Sequence, residues 1–375
     1  MYIRPTRRRS RRWPWFLLLV VLLALALLYA RTQGLDLDSY QLPGRQRPTP
    51  TATELGTRER LALADRDFEQ GQISEAIAGY RQVTVLDPSN SAAYARLGRL
   101  LTLRGRLGEG LSSAQRAVEI DSENPESQAI LGMALDWDGD YDAAVEACLR
   151  AIDLDPEYAI AYAYLAEAYA DKGRLDRALQ TAEQALSLDP GSFYAYRNRG
   201  YVLERHGEYD GAILDYIDAI NLQPNLAYLY LSLGRVYQAL GDAEGAIDQF
   251  VQATVADPDD PTGYDSLGQA YYAQGDYAQA AAQFKKATEA DREFANAYGH
   301  LGWCYYVQRR YEDAIPQFEK SISLGATAVE FFYELGLSYA YIGECDSARP
   351  WLERALEIDP YSAPALQGLE RCREG

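Results

Sequence analysis

Residues that commonly take part in catalysis are few in this chain and far apart in its sequence. The two histidines are His206 and His300, and neither belongs to a nucleophile–base pair, a glycine-rich phosphate loop or a cluster of metal-ligating residues. The cysteines form no C-x-x-C pair, which argues against a zinc site, haem attachment and thioredoxin-like redox chemistry. They are Cys148, Cys304, Cys345 and Cys372. These patterns predict a protein without catalytic activity, metal or cofactor.

Four aspartates at alternating positions form the one run that could be mistaken for a metal site. Asp136, Asp138, Asp140 and Asp142 have the spacing of the first ligands of a calcium loop. Such loops also need a glutamate at position 12, where this sequence has Ala147. The run therefore favours an ordinary turn over a calcium site.

The elements that must position these residues follow a period of 34 residues, which begins near Thr57. Its clearest mark is a dipeptide that ends in proline. Proline cannot continue a helix and disfavours the helical conformation in the residue before it, so each dipeptide predicts a helix end. The dipeptides are Asp87-Pro88, Asp155-Pro156, Asp189-Pro190, Gln223-Pro224, Asp257-Pro258 and Asp359-Pro360. A fixed period of this length is typical of repeat proteins.

Residues 227–260 show what one period does physically. Leu233 and Tyr237 lie one turn apart and can be buried on the same helix face. Gly234 lies on that face without a side chain, so a second helix can approach closely, with Ala246 as the expected small residue opposite. Phe250 lies on the apolar face of this second helix. One such hairpin cannot bury both of its faces, whereas stacked hairpins can.

In its length and spacing this unit resembles the tetratricopeptide repeat. The resemblance extends over nine consecutive units, each with glycine or alanine at its eighth position: Ala64, Gly98, Gly132, Ala166, Gly200, Gly234, Gly268, Gly302 and Gly336. The units are 57–90, 91–124, 125–158, 159–192, 193–226, 227–260, 261–294, 295–328 and 329–362.

The resemblance implies an all-α fold, a right-handed superhelical α-solenoid. About nine helix-turn-helix repeats would occupy residues 57–362, and residues 363–375 would form a capping helix. Two proline residues, Pro316 and Pro350, fall within the second helices of units eight and nine. Since proline removes a backbone hydrogen bond, we expect these helices to start late or to bend slightly.

The resemblance also implies a binding surface. In this family the first helices line the concave face, and positions 2, 5, 9, 12 and 13 of the unit usually point into it. The corresponding residues here are Arg99, Met133, Trp137, Tyr194, Arg197, Tyr201, Arg205, Arg235, Gln269, Tyr272, Trp303, Tyr306 and Tyr333. Arginine and aromatic residues dominate binding hot spots, so this groove is expected to bind a peptide or protein segment. The alternative is that some of the rings fill the contacts between repeats.

The charge of the repeats restricts the class of partner. Residues 57–375 carry 27 basic and 52 acidic side chains, a net charge of −25. Such a surface repels phosphate backbones, which argues against a nucleic-acid partner. It would favour a basic protein or peptide, although much of this charge also serves to keep a long solenoid soluble.

The amino-terminal residues have the pattern of a membrane anchor. Residues 13–30 contain no charged side chain and would form a helix of about 27 Å, enough to cross a bilayer. The arginine-rich residues 1–12 predict a cytoplasmic amino terminus, with the repeats on the extracytoplasmic side. Residues 31–56 predict a flexible linker.

Three alternatives to a membrane anchor compete. A cleaved signal peptide has its candidate cut site, Ala24 to Ala26, inside the apolar run. A twin-arginine export signal needs an apolar continuation, whereas Ser10-Arg11-Arg12 is followed by Trp13-Pro14. The third is a nuclear or nucleic-acid-binding patch formed by the basic tract.

Two functional hypotheses follow. In the first, the protein is a non-catalytic, single-pass membrane scaffold that binds another protein in its groove. In the second, it is an accessory subunit of a cell-envelope polysaccharide or secretion enzyme complex. If the repeats are extracytoplasmic, Cys345 and Cys372, on successive predicted helices, are either bridged or free thiols. The sequence identifies neither the partner nor the oligomeric state.

Overall fold

The computed structural model describes residues 56–374, and in that part of the chain it contains nineteen helices and no strand. The helices are α1 Thr57–Glu69, α2 Ile73–Leu86, α3 Ser91–Leu103, α4 Leu107–Ile120, α5 Pro125–Asp138, α6 Tyr141–Leu154, α7 Ala159–Asp171, α8 Leu175–Leu188, α9 Phe193–His206, α10 Tyr209–Leu222, α11 Ala227–Ala239, α12 Ala243–Ala256, α13 Pro261–Ala273, α14 Tyr277–Ala290, α15 Ala295–Val307, α16 Tyr311–Ser323, α17 Val329–Tyr341, α18 Cys345–Ile358 and α19 Ala363–Glu374.

The helices are arranged as a repeat solenoid, which confirms the all-α expectation. Each of the nine units holds two helices that pack on each other, and the first of them begins at the first residue of the unit. The last helix, α19, packs on α17 and α18. Because each hairpin buries its faces against its neighbours, the core runs the length of the solenoid.

The eighth-position glycines allow the two helices of a unit to touch. A Cβ built on Gly234 would lie 2.5 Å from the ring of Phe250, and one on Gly268 would lie 2.6 Å from the ring of Phe284. The nearest neighbour of Gly234 is thus a phenyl ring rather than Ala246, because the ring lies flat in the space that a side chain would take. Both rings are buried.

The turns between paired helices use residues with positive φ. Glycine supplies this conformation in most units, for example Gly139 at φ 93° and Gly241 at φ 78°. In unit eight Arg309 occupies this place with φ 60°, a conformation that costs a non-glycine residue energy. The fold therefore imposes this turn even where the sequence lacks glycine.

The expectation of a late helix start at the two prolines is wrong. Helices α16 and α18 begin at the same position of their units as the other second helices, with Pro316 and Pro350 inside them. Both prolines are exposed, and so are Glu312 and Asp346, whose carbonyl groups lose their partners. Water can satisfy these carbonyls, so the helices tolerate proline.

The run of aspartates does not converge on one point. Asp136 and Asp138 belong to α5, Gly139 ends that helix in the left-handed conformation, and Asp142 belongs to α6. The side chain of Asp140 caps α6 by accepting a hydrogen bond from the backbone N–H of Ala143 at 3.1 Å. These residues therefore build an ordinary helix–turn–helix.

Cys345 and Cys372 form a disulfide between the start of α18 and the end of α19, with Cα atoms 5.3 Å apart. The other two cysteines, Cys148 and Cys304, are buried free thiols.

Opening this disulfide should loosen the capping helix α19. In the loop-closure view, a bridge across a separation of 27 residues stabilises the fold by about 3 kcal/mol. Since α19 packs mainly on α17 and α18, the effect should remain local. Reductant should speed amide hydrogen exchange in α19 and leave a Cys345→Ser, Cys372→Ser variant unchanged. Equal acceleration in all helices would contradict a local role.

The solenoid curves most tightly in its first half. The first helices of units two to five contact one another more extensively than those of units five to nine. Helix α7, at the centre of this region, is rich in alanine and has ten buried residues. Because alanine lets helices approach closely, the repeats turn sharply here.

This curvature brings the start of the solenoid onto its sixth unit. Arg104, at the end of α3, forms an ion pair of 2.6 Å with Asp257, and the two side chains are 10% and 7% exposed. Gly71 lies against Asn225, so that a Cβ on Gly71 would lie 2.3 Å from the Asn225 carbonyl oxygen. Units one and two therefore pack on residues of units five and six that are distant in the sequence.

The predicted anchor at residues 13–30, with residues 1–12 and the linker at 31–56, falls almost entirely outside the described residues. Between residues 56 and 374, the structure contains no helix long and apolar enough to span a membrane.

Candidate functional site

The thirteen groove candidates differ in exposure, although they occupy equivalent positions of their units. Four are buried: Arg99, Met133, Tyr194 and Arg197. Six are half-buried: Trp137, Tyr201, Tyr272, Trp303, Tyr306 and Tyr333. Three are exposed: Arg205, Arg235 and Gln269. All four buried candidates lie in units two to five, named here the closed part of the concave face, although Trp137, Tyr201 and Arg205 of these units are less buried. Units six to nine, named the open part, hold none of the buried candidates.

Arg99 lies in the closed part, where it was expected to face a ligand. Its guanidinium lies 4.8 Å from the centre of the Phe68 ring in α1 and 5.5 Å from that of the Tyr194 ring in α9. The first helices of units one, two and five therefore meet around this side chain. The rings provide cation–π contacts that partly replace its lost hydration. Arg99 and Tyr194 are thus part of the core and are unavailable to a ligand in this structure.

Arg197 is held in a second buried cluster. It forms an ion pair of 2.5 Å with Glu167, and the two side chains are 8% and 5% exposed. Its guanidinium lies 5.9 Å from the Trp137 ring and 5.4 Å from the Tyr201 ring. The indole N–H of Trp137 donates to Glu167 at 3.3 Å. One cation is thus enclosed by a carboxylate and two aromatic rings, and this arrangement orders units three to five.

The outer side of this cluster reaches solvent through Asp171. The hydroxyl of Tyr201 and the guanidinium of Arg205 both donate to the Asp171 carboxylate at 2.5 Å. Arg205 also donates to the Tyr201 hydroxyl at 3.0 Å. These three groups satisfy one another, so Tyr201 and Arg205 contribute to packing between units four and five.

Asp136 is the unusual acid of this region. Its side chain is 3% exposed, and neither carboxylate oxygen accepts a hydrogen bond in the described part of the chain. The Asp171 carboxylate lies beside it as an acceptor for its protonated form. Burial, followed by the negative charges of Glu167 and Asp171, raises the pKa of Asp136 to about 9. The carboxyl is therefore protonated at neutral pH.

Replacing Asp136 by asparagine should flatten the pH dependence of stability. The folded pKa lies above the unfolded value, so this carboxyl's contribution is fully present below about pH 4 and is lost as pH rises towards about 9. Relative to Asp136→Asn, the natural protein should lose stability as pH rises through that window, by roughly 1 kcal/mol per pH unit at most. Urea unfolding from pH 5 to 9 measures this, with the exposed Asp138→Asn as control. Parallel curves for all three proteins would contradict the assignment.

The open part of the concave face is aromatic. The rings of Tyr272 and Trp303 are 6.0 Å apart, and Tyr272 also meets Tyr277 edge-on at 5.1 Å. Tyr306 packs against Tyr311 at 5.7 Å. These rings come from units seven and eight and remain half-buried, so their faces are partly available to a ligand. Aromatic side chains of this kind provide contact area at low entropic cost.

One acid, Glu334, interacts electrostatically with two of these tyrosines. A carboxylate oxygen of Glu334, Oε2, is buried and has no hydrogen-bond partner among residues 56–374. Burial, followed by the charge of Glu330, raises the pKa of Glu334 to about 8. Burial and then Glu334 itself raise the pKa of Tyr272 to about 12, and Glu334 contributes in the same way at Tyr306. The acid therefore lies electrostatically close to both tyrosines.

The remaining candidates make local contacts at the edge of the open part. Gln269 donates to Asp265 at 2.7 Å, and Arg235 donates to the Ser232 hydroxyl at 3.2 Å. Asp265 also pairs with Nδ1 of His300 at 2.7 Å. The acid is thus shared between a histidine and an amide, which fixes α13 against α15. Both candidates remain exposed.

Sequence reasoning missed several acids of the concave face. Glu167 and Asp171 occupy positions 9 and 13 of unit four, and Asp136 occupies position 12 of unit three. These are positions at which candidates were sought, so the repeat spacing alone could have found them. Glu334 occupies position 6 of unit nine, and the local sequence carries no signal for it.

Two family profiles match the repeats. One, described as a tetratricopeptide repeat, matches residues 61–125 and 131–193. The other, described as the C-terminal domain of cilia and flagella-associated protein 70, matches residues 191–374. Together they extend over almost all of the described helices. A search of curated proteins found no match.

Several solved structures share the fold at low sequence identity. The Cut9–Hcn1 hetero-tetramer of the APC/C matches with a TM-score of 0.56 and 19% identity, over 85% of this chain and 67% of that chain. Human IFIT1, solved as a dimer with m7Gppp-AAAA, matches with a TM-score of 0.53 and 18% identity, over 81% and 72%. PilF of Pseudomonas aeruginosa matches with a TM-score of 0.50 and 19% identity, over 56% and 96%. These similarities concern the fold.

Proposed function

We propose, from the premise that this chain belongs to the tetratricopeptide-repeat family, that it is a non-catalytic scaffold that binds an extended segment of a partner protein. The binding surface in this proposal is the open part of the concave face, in units six to nine. The closed part, in units two to five, serves to hold that surface rigid. The family is one whose repeats generally mediate protein interactions, which supports the proposal.

The observation that carries the proposal is the difference between the two parts of the face. In units two to five, Arg99 and Arg197 are enclosed by the protein's own rings and carboxylates. In units seven and eight, Tyr272, Trp303 and Tyr306 remain half-buried, and no arginine or lysine of residues 56–374 forms a cation–π contact with them. Trp303 instead has His300 as a neighbour, at 4.7 Å. Partly exposed aromatic side chains on a rigid concave surface are typical of binding hot spots.

The charge of the repeats supports a basic protein segment as the partner. With a net charge of −25 over residues 57–375, the protein attracts cationic segments and repels nucleic-acid phosphates. The proposal therefore excludes a nucleic-acid ligand.

The proposal places this scaffold at a membrane through the uncharged residues 13–30. The repeats then lie on the extracytoplasmic side, since the arginines precede the span. A reporter fused after Gly375 tests this orientation. Activity confined to the cytoplasm would contradict it.

Site-specific photocrosslinking of the full-length protein in cells tests the binding surface. A photoreactive amino acid at Gln269 or Tyr333 should give a discrete adduct with one partner, identified by mass spectrometry. The same group at Val255, which is 70% exposed on α12, is the control. We expect the adduct from the two concave positions and a much weaker one from Val255.

Two outcomes would contradict the proposal. One is an equal adduct from Val255, which would place the interaction elsewhere on the solenoid. The other is turnover of a substrate by the purified full-length protein, which would contradict the absence of catalysis.

A further inference from the structure

We propose that units seven to nine form a binding site for a single lysine or arginine side chain of the partner segment. The site, named here the cation site, consists of the Tyr272, Trp303 and Tyr306 rings and the Glu334 carboxylate. This inference rests on the proposed function, because it specifies one residue of the segment that the open part of the concave face binds.

Two rings of the cation site, those of Tyr272 and Trp303, lie close enough together for one cation to contact both. Tyr272 and Trp303 are 6.0 Å apart with their planes inclined at 42°, so their faces do not stack on each other. Trp303 also packs against His300 at 4.7 Å and Phe331 at 5.4 Å, so part of its surface is covered, and the half-buried side chains leave the remaining ring surface partly desolvated. A cation over the face of tryptophan or tyrosine is attracted by the ring quadrupole, most strongly where water is excluded.

The Glu334 side chain is half-buried, and its raised pKa leaves the carboxyl mostly protonated near neutral pH. A bound cation therefore favours the ionised form, whose proton passes to solvent. Within residues 56–374 the structure gives Glu334 no ion pair, and Oε2 is buried without a hydrogen bond. Arg310 and Arg371 lie over other rings, those of Tyr305 and Tyr341. A buried carboxylate without a partner is unfavourable, so a cation that reaches it gains a charge-assisted hydrogen bond.

A similar arrangement of rings and a carboxylate in units three to five holds one of the protein's own arginines. In units three to five, Arg197 pairs with Glu167 between the Trp137 and Tyr201 rings. Unit nine has Tyr333 at the position equivalent to Arg197. Units seven to nine therefore provide rings and a carboxyl group, and none of their concave positions carries an arginine.

A basic side chain of a protein fits this site better than a metal ion. In the described residues no three His, Cys, Asp or Glu side chains lie close enough to hold a metal. Aromatic rings bind organic cations through their faces, whereas divalent metals need several oxygen or nitrogen ligands. The net negative charge of the repeats would also steer a basic segment towards this face.

A peptide selection with full-length protein tests the inference. A random library of acetylated, amidated dodecapeptides on beads is the probe, and the enriched peptides are resynthesised with each lysine or arginine replaced by norleucine or citrulline. At one position the replacement should weaken binding to the natural protein by about tenfold or more, as expected for a charge-assisted hydrogen bond. In Glu334→Gln the same replacement should have almost no effect. Thermal unfolding verifies that this variant folds.

Two sets of control variants separate the cation site from the general charge. Glu353→Gln removes one charge from an exposed side chain of α18 in the same unit. This variant should still bind the basic peptide about tenfold more tightly than the peptide with the neutral replacement. Tyr272→Phe keeps the ring and should keep most of this preference for the basic peptide. Tyr272→Leu removes the ring and should lose the preference.

Four outcomes would overturn the inference. Enriched peptides without a basic position, or discrimination that survives Glu334→Gln, would remove the cation site while leaving the proposed groove intact. Equal losses in Glu353→Gln would assign the preference to overall charge. A library without any enriched peptide would contradict both the cation site and the proposed function.

Discussion

Replacing Arg197 by alanine is expected to destabilise the solenoid by about 3–5 kcal/mol, the cost of removing one partner of a buried ion pair. The change leaves the Glu167 carboxylate 5% exposed and without its cation, near the buried Asp136 and Asp171. It also removes the guanidinium from between the Trp137 and Tyr201 rings. Urea unfolding of the full-length protein measures the loss.

Most of this loss should come from the Glu167 carboxylate, which stays buried without a cation, rather than from the lost ring contacts of Arg197. An Arg197→Leu, Glu167→Leu double variant should therefore recover the greater part of the stability, since apolar side chains can replace a buried pair at little cost. Arg116→Ala is the matched control, because its ion pair with Glu119 is exposed, and it should cost less than about 1 kcal/mol. A double variant no more stable than Arg197→Ala would contradict this explanation.

Replacing Arg104 by alanine is expected to open the contact between units two and six. Asp257 is 7% exposed, so losing its partner should destabilise the fold by about 3–5 kcal/mol if the carboxylate stays buried. Opening of the solenoid, which would hydrate the carboxylate, would reduce this cost. Burial raises the Asp257 pKa to about 6, although Arg104 opposes the shift. Without Arg104 this pKa should rise further. We therefore expect the folded protein to open more at pH 8 than at pH 5, where the carboxyl is neutral.

The opening can be measured as a distance between two nitroxide labels, at Gly108→Cys and Asp259→Cys. A cysteine at Gly108 meets no atom within 4 Å of its Cβ, and Asp259 is exposed. The distance should lengthen and its distribution broaden in Arg104→Ala. Arg106→Ala, which breaks an exposed pair with Glu109, should leave it unchanged. An unchanged distance in Arg104→Ala would show that the curvature does not depend on this ion pair.

These two ion pairs bear on the proposed binding surface. Arg197 and Arg104 hold the tight curvature of units two to six, and units seven to nine continue from that base. Each repeat of a solenoid packs only on its neighbours. Weakening either ion pair should therefore change how the open part is oriented more than it changes the side-chain contacts within that part. The proposed cation site is therefore best tested with variants such as Glu334→Gln that leave both pairs intact.

Much of the local structure could be predicted from the sequence because it depends on contacts within one period. The first helix of unit six begins at Ala227, and its turn uses Gly241, as the spacing indicates. Predictions from the local sequence failed where the backbone conformation or the tolerance of a proline depends on neighbouring units or on contact with solvent. Arg309 takes a glycine conformation because the adjacent helices require it, and Pro316 is tolerated because its face meets water.

The sequence by itself determined the repeat, the helices and a set of candidate side chains for the concave face, because these follow from residue spacing and helix periodicity. Only the tertiary structure decided which of them remain accessible. Arg197 and Tyr333 occupy the same position of their units, yet one is buried in an ion pair and the other is half-exposed. The physical reason is curvature. Small rotations at successive interfaces add up until Arg104 reaches Asp257, and no single unit encodes that sum.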